Sequence, residues 1–333
     1  MNLLRKLLFP FSLLYGGITA FRNFLYNKGW LKSKSYNLPI ICVGNLSTGG
    51  TGKSPMIEFL VSFLKKEHKI AVLSRGYKRK TTGYMEVLNN SSVEEVGDEP
   101  LQFKQKFPEI TVAVCEDRQT GIEKLQNNAD VILLDDAFQH RKVKASLNIL
   151  LTSFDKLYSN DCMLPTGNLR EPKFGAKRAD VIVVTKCPEN LENSKMEAIT
   201  KKLKPKNNQE IYFSKIAYNS EIKNGADHKP LEYITDKEFL LVAGIANPKP
   251  LIDFLKNKGL KFESKLFPDH HNFTTSEIEE LKKHSLILTT EKDFMRLQPI
   301  VNDTDIYYLS ITTVILNNAE AAFKKRIEQE MVR

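Results

Sequence analysis

The chain has 333 residues, 41% of them hydrophobic, and a formal net charge of +9. That length and composition supply apolar mass for two domains and exclude a disordered, collagenous or disulfide-scaffold chain. The positive balance fits nucleic acid, an anionic membrane surface or a phosphorylated substrate. Without zinc-finger spacing or an aromatic RNA-binding signature, nucleic acid ranks last.

The first 30 residues predict an apolar N-terminal helix. Leu7–Phe21 carries no charge, but it is too short for the roughly 20 residues of a spanning helix, and Pro10, Gly16 and Gly17 weaken it further. Leu4, Leu7, Leu8, Phe11, Leu14, Tyr15, Ile18, Phe21 and Leu25 recur at helical spacing on one face, opposite Arg5, Ser12, Thr19 and Arg22. Two placements fit this pattern: a helix lying in a membrane interface, or one packed on the protein's own core.

The apolar run IICV then leads into GNLSTGGTGKSP (44–55). A buried strand, a glycine-rich turn and Gly-Lys-Ser form the loop that cradles the phosphates of a nucleoside triphosphate. Ser47, Thr48, Gly49, Gly50, Thr51, Gly52, Lys53 and Ser54 are the expected nucleotide contacts. Lys53 brings a mobile positive charge to the β- and γ-phosphates, and the Ser54 hydroxyl completes a Mg²⁺ shell. Ser47 stands where the strict motif has glycine, and Gly49 and Gly50 compensate.

Downstream, Met56–Lys66 reads as a helix, and 69–77, 110–116, 131–140, 147–153 and 181–186 as strands. Their continuous apolar runs predict strands buried on both faces, hence a doubly wound parallel sheet of the P-loop NTPase type. The charged stretch 187–210 holds a helix. A second βαβ rhythm over 239–248, 249–258, 285–293 and 307–316 predicts a second, smaller α/β domain. The expected organisation is residues 1–30 as membrane-interface helix, 31–215 as the P-loop domain and 216–333 as the smaller domain.

VILLDDAFQH (131–140) delivers Asp135 and Asp136 to a strand end beside the phosphate loop, where a carboxylate can hold Mg²⁺. In an extended chain the two point to opposite sides, so only one reaches the metal directly. Thr185-Lys186-Cys187-Pro188 lacks the carboxylate that would read guanine, which favours ATP. Asp98, in the turn-prone GDEP, is a candidate general base. Arg170 in LREP suits phosphate clamping or a local salt bridge, and FPDHH (267–271) offers two histidines. The four cysteines lie far apart without a C-x-x-C pair, as expected of reduced thiols. Nothing in the sequence implies a protein partner.

Taken together, GNLSTGGTGKSP, LSRGYKRK (73–80), GDEP (97–100), LLDDAFQHRK (133–142), LPTGNLREP (164–172), AGIANP (243–248), FPDHHNF (267–273) and TEKD (290–293) resemble, in order and over nearly the whole chain, the tetraacyldisaccharide 4'-kinases. The resemblance implies transfer of the ATP γ-phosphoryl group to the 4'-hydroxyl of a tetraacylated glucosamine disaccharide 1-phosphate. The product is lipid IVA, made by a peripheral enzyme on the cytoplasmic face of the inner membrane. It implies two α/β/α domains with the lipid substrate between them, and membrane contact aided by the N-terminal helix. By the same carry-over Asp98 helps deprotonate the 4'-hydroxyl with His270 as partner and His271 as alternative. Asp135 and Asp136 match the metal-associated pair, and Arg75, Tyr77, Arg170 and Glu171 line the substrate cleft. Ala137, Lys78, Thr166 and Asn168 depart from the family pattern and bear on cleft shape and acyl-chain preference.

Overall fold

A computed structural model describes residues 3–225, 227–269, 271, 273–301 and 304–331. The chain divides into two compact units, Met1–Ile216 with Thr313–Arg333, and Ala217–Thr312. Two helices open the first unit, α1 (Leu3–Leu7) and α2 (Phe9–Asn27). Pro10 falls in the first turn of α2, where its missing N–H costs no helical hydrogen bond. There follow β1 (Ile40–Asn45), α3 (Lys53–Leu64), β2 (Ile70–Ser74), β3 (Met85–Glu86), α4 (Val93–Val96), α5 (Asp98–Lys106) and β4 (Thr111–Val114). Then come α6 (Arg118–Leu125), β5 (Val131–Asp135), β6 (Leu147–Ser153), β7 (Val181–Thr185), α7 (Asn193–Leu203) and β8 (Glu210–Asn224), which runs on into the second unit.

The sheet of the first unit has the order β8-β7-β6-β1-β5-β2-β4-β3, parallel except for β3 against β4. Successive residues of β1 serve opposite cores. Ile41 and Val43 join Met56 and Leu60 of α3, while Ile40 and Cys42 join Ile132 and Leu134 of β5 on the other face. Double-sided burial is why these strands read as unbroken apolar runs. Because β1 lies between β5 and β6, the loop after it opens at the point where strand order reverses, the usual ligand site of such sheets.

The second unit continues with β9 (Asp227–Pro230), β10 (Phe239–Ala243), α8 (Lys249–Asn257), β11 (Phe262–Leu266), α9 (Thr275–Leu281), β12 (Leu286–Thr290), α10 (Glu291–Leu297) and β13 (Asp305–Ile315). Its parallel order is β11-β10-β12-β13, with β9 antiparallel to β8. The same alternation holds, with Phe239 and Leu241 on one core and Leu240 and Val242 on the other. TEKD and AGIANP have a structural task here. The Thr290 hydroxyl and the Gly244 amide both donate to the Asp293 carboxylate, at 2.7 and 2.8 Å.

Several local expectations change. Helix α3 begins at Lys53 rather than Met56, because Gly52 takes a left-handed conformation (φ 85°) that turns the loop directly into the helix. Pro55 falls in the first turn, where it is tolerated. Strand β5 stops at Asp135, since Asp136 also adopts a positive φ of 48°; the two carboxylates are therefore not an extended alternating pair. GDEP is a helix start rather than a turn between strands. Gly97 (φ 90°) links α4 to α5, and a Cβ there would lie 3.1 Å from the Tyr77 carbonyl oxygen.

Of the two placements open to α2, packing of the apolar side on the protein's own core is the one not adopted. The polar side of the helix meets the protein: Ser12 and Asn23 are buried, while Phe11, Leu13, Leu14, Ile18 and Phe21 are each more than 60% exposed. Tyr15 and Leu25, placed by periodicity on the apolar face, are half-buried, and Leu13 is exposed beside that face. Among the described residues no helix is long and apolar enough to cross a membrane. The four cysteines are free, three of them buried and Cys162 exposed.

Helix α11 (Glu320–Glu328) closes the first unit by inserting Phe323, fully buried, between Phe59 and Tyr212 at ring distances of 5.9 and 5.0 Å. Phe323→Ala leaves a cavity under this helix and is expected to lower stability by about 3–5 kcal/mol. Chemical denaturation measures it, and a loss below about 1 kcal/mol would contradict the packing role of α11.

Candidate functional site

The loop 47–54 is held from three sides. Thr48 N–H donates to the Asn168 carbonyl at 2.8 Å, and Ser47 bridges Leu169, so one side leans on the segment 162–172. From the end of β7, the Thr185 hydroxyl donates to the Thr51 carbonyl at 2.7 Å and Lys186 Nζ to the Gly50 carbonyl at 2.6 Å. Within the loop, Asn45 Nδ2 donates to the Thr51 hydroxyl at 2.7 Å. Thr48, Gly49 and Gly50 stay exposed, Ser47 and Gly52–Ser54 are partly covered, and Thr51 is buried. The first-turn amides of α3 face the same loop, the arrangement that receives an anion.

Two chain segments remote in sequence bring carboxylates to this loop. The Ser54 hydroxyl donates to Glu99 at 2.5 Å, tying the start of α5 to the start of α3. Asp98, the first residue of α5, is buried. From β5 and its exit come Asp135 and Asp136, with Lys53 Nζ 3.8 Å from Asp136 Oδ1.

The two aspartates differ in environment. Asp136 accepts two hydrogen bonds from Arg170, at 3.0 and 2.6 Å. Burial alone would raise its pKa, but the Arg170 bond and the Lys53 charge outweigh burial and hold the carboxyl below its usual value. Asp135 is 2% exposed. It accepts the Ser74 hydroxyl at 3.0 Å on one oxygen, and its other oxygen has no hydrogen-bond partner. Burial, then the Glu99 and Asp136 charges, push it up to about 7. Arg118, also 2% exposed, donates to the Asp135 and Cys115 carbonyl oxygens rather than to the carboxylate.

Arg170 also donates to the side chain of Asn45 at the loop entrance. Its neighbour Glu171 is buried and takes bonds from Asn23 of α2 (2.9 Å), Gln139 (2.8 Å) and Arg178 (2.9 Å). Tyr15 of α2 donates to the Arg170 carbonyl at 3.0 Å, and the Ser12 hydroxyl to Thr166 at 2.7 Å. The polar side of α2 is thus bonded to the same segment that braces the loop. Arg75 and Tyr77 are exposed at the end of β2, Tyr77 by 67%.

In the second unit, His270 lies outside the described residues. His271 is within 2.9 Å of Glu277 through Nε2 and stacks on Phe267 at 4.7 Å. Hydrogen bonds from Thr274 first, then His271, hold Glu277 at about 2.

The motifs pointed to Lys53, Ser54, Asp98, Asp135, Asp136 and Arg170, and these stand on elements that converge on one loop. They did not point to Glu99, Asn45, Ser74, Arg118 or Lys186. Glu99 had a signal, being the second acid of GDEP. A lone arginine opening a helix or a serine ending a strand carries none, because its partner is set by tertiary approach.

The Asp135 environment predicts a trade between stability and charge. Its folded pKa lies above the unfolded value, so stability from this group is fully present below about pH 4 and is lost as pH rises to 7. Asp135→Asn removes that loss. The variant should melt above the unsubstituted chain at pH 8, by a margin on the order of a few kcal/mol that shrinks toward pH 4. Scanning calorimetry across that range is the measurement, and a lower melting point at pH 8 would contradict the assignment.

Comparison with known proteins identifies the family. The sequence profile described as tetraacyldisaccharide-1-P 4'-kinase matches residues 4–331. A tetraacyldisaccharide 4'-kinase of Flavobacterium johnsoniae is 51% identical over 96% of this chain and 95% of its own length. One from Bacteroides thetaiotaomicron is 42% identical over 97% and 92%. The crystal structure of the "apo" form of LpxK from Aquifex aeolicus in complex with ATP superposes with a TM-score of 0.82 and 33% identity, covering 99% of this chain and all of that one. With a family model matched over residues 4–331 and a relative 51% identical over 96% of its length, the chain belongs to the tetraacyldisaccharide-1-P 4'-kinase family.

Proposed function

We propose the following division of labour for the reaction of this family, transfer of a phosphoryl group to the 4'-hydroxyl of a tetraacylated disaccharide 1-phosphate in lipid A biosynthesis. ATP lays its phosphates along Ser47–Ser54. Lys53 follows the charge that moves from the γ-phosphoryl group to the leaving oxygen, and the loop amides hold the same oxygens. Asp98 accepts the proton of the 4'-hydroxyl. That oxygen forms a bond to the γ-phosphorus, the bond to the β–γ bridging oxygen breaks, and ADP leaves. A histidine of FPDHH, His270 by motif, partners Asp98.

The observation that carries this reading is the Ser54–Glu99 hydrogen bond, which anchors the helix bearing Asp98 to the phosphate loop. It supports the reading of Asp98 as a base next to the phosphate cradle, whereas a nucleotide switch needs only the cradle.

The residues present also fit Mg²⁺. Asp135 has a buried oxygen without a hydrogen-bond partner, and Ser54 and Glu99 add a hydroxyl and a second carboxylate. Among the described residues no three His, Cys, Asp or Glu side chains form a metal site by themselves, so phosphates and water would have to complete the shell. Ser54, Glu99 and Asp135 would hold it, with Asp136 kept as the partner of Arg170 and Lys53. When bound, Mg²⁺ neutralises charge on the phosphate oxygens.

The substrate cleft in this reading takes Arg75, Tyr77 and Arg170. Glu171, a sequence candidate for the same role, acts instead as the buried support behind Arg170. The exposed apolar side of α2 lies in the lipid interface, which holds the enzyme as a peripheral protein on the cytoplasmic face of the inner membrane.

The test uses purified protein in mild detergent with γ-labelled ATP, Mg²⁺ and tetraacyl disaccharide 1-phosphate. Label should appear on the lipid and vanish with Lys53→Ala. Asp98→Ala should keep ATP affinity and lose about 10²–10⁴-fold in turnover. Near-normal turnover in that variant would remove Asp98 as base, and label released only as inorganic phosphate would remove the lipid acceptor.

A further inference from the structure

The connection from β5 to β6, residues 136–146, contains no helix, although parallel strands are usually joined through one. Beside it lies a cavity of about 810 Å³, within the size range of small-molecule sites. Its floor is apolar and comes from the sheet and the connection itself: Cys42, Leu134, Phe138 and Val143.

The mouth is cationic. Lys32, Arg141, Lys144 and Arg178 line it, against one lining carboxylate, Asp180, which already accepts the Asn148 amide at 2.8 Å. Arg141 is fixed by the Asn23 carbonyl at 2.7 Å, Asn27 at 2.8 Å and the ring of Tyr26 at 5.0 Å. Arg178 shares Glu171 and lies over the Phe138 ring at 4.5 Å. Lys32 and Lys144 have no ion-pair partner among the described residues. An excess of cations above an apolar floor suits a ligand that is anionic at one end and apolar at the other.

The position selects among such ligands. Tyr26 and Asn27, from the last turn of α2, form one wall. On the same turn and just beyond it, Phe24 and Trp30 are 45% and 73% exposed. The cavity therefore adjoins the C-terminal end of the helix whose earlier turns expose Phe11, Leu14, Ile18 and Phe21. None of Lys53, Ser54, Asp98, Asp135 or Arg170 lines it.

We propose that this cavity binds an acidic phospholipid, its headgroup phosphate at the cationic mouth and the first carbons of its chains over the apolar floor. The proposal rests on the reading that α2 meets a lipid surface, and it adds a specific anionic-lipid site beside the substrate cleft.

The probe is dihexanoylphosphatidylglycerol below its micellar concentration, titrated into the full-length protein by calorimetry. Trp30, the single tryptophan of the chain, gives a parallel fluorescence reading at the cavity edge. Binding should saturate, weaken in high salt, and fall about tenfold or more in Lys32→Glu/Lys144→Glu. The variant should keep its transferase activity on detergent-dispersed acceptor.

Dihexanoylphosphatidylcholine binding equally well, or an unchanged affinity in the double variant, would overturn the anionic site. Glycerol 3-phosphate or inorganic phosphate binding as tightly would make it a free-anion site and overturn the lipid assignment. A rise in KM for the lipid acceptor at constant kcat, caused by the phosphatidylglycerol, would assign the cavity to the substrate instead. Because the probe is monomeric, the result is independent of bilayer docking. That reading fails separately, if Phe11→Glu/Leu14→Glu floats with neutral vesicles as well as the unsubstituted chain does.

Discussion

The pairing of Arg170 with Asp136 is the constraint on which the site depends. Arg170 joins the exit of β5 and the entrance of the phosphate loop at Asn45 through its guanidinium, and helix α2 through its backbone carbonyl. The planar fork of arginine suits this, because a lysine ammonium could not serve a carboxylate and an amide oxygen in one plane. The pair is only partly shielded from water, so its worth lies less in net stability than in position. It holds Asp136 ionised in a left-handed conformation, and it leaves Asp135 as the one carboxylate of the pair with an unclaimed oxygen. Two adjacent aspartates thereby acquire opposite protonation tendencies from their surroundings alone.

The parts of the fold legible in the sequence were those written in local chemistry. Unbroken apolar runs announced strands buried on both faces, and Ile40–Val43 serves two cores as such a run must. Gly-Lys-Ser after a strand announced the phosphate loop, and the order of eight short motifs announced the family. What stayed hidden was tertiary in origin. No local signal says that residues 136–146 cross over without a helix, or that Asp136 leaves the strand in a left-handed turn. Glu171 illustrates the same limit from the other side. Its motif suggested a cleft residue, yet three donors from separate elements enclose it as a buried acceptor.

Helix α2 reverses the usual logic of an amphipathic helix. Its pattern of apolar spacing was correctly visible, but periodicity alone does not say which side faces the protein. Here the orientation is decided by hydrogen bonding. Ser12, Tyr15 and Asn23 find partners in the segment 162–172, and Arg141 reaches back to the Asn23 carbonyl. Left facing solvent, these groups would gain little, whereas buried with partners they fix the helix at one angle. The segment they grip is the one that braces the phosphate loop, so helix placement and loop shape are set by the same residues.

That anchoring has a thermodynamic consequence. The side chains of Phe11, Leu13, Leu14, Ile18 and Phe21 stand in water at a cost that folding does not relieve. An apolar phase that covers them in register, and binds the folded chain better than the unfolded one, would shift the folding equilibrium by mass action. Resistance to heat would then be a joint property of the chain and its surroundings. A melting temperature taken in plain buffer would then report only the lower end of its range.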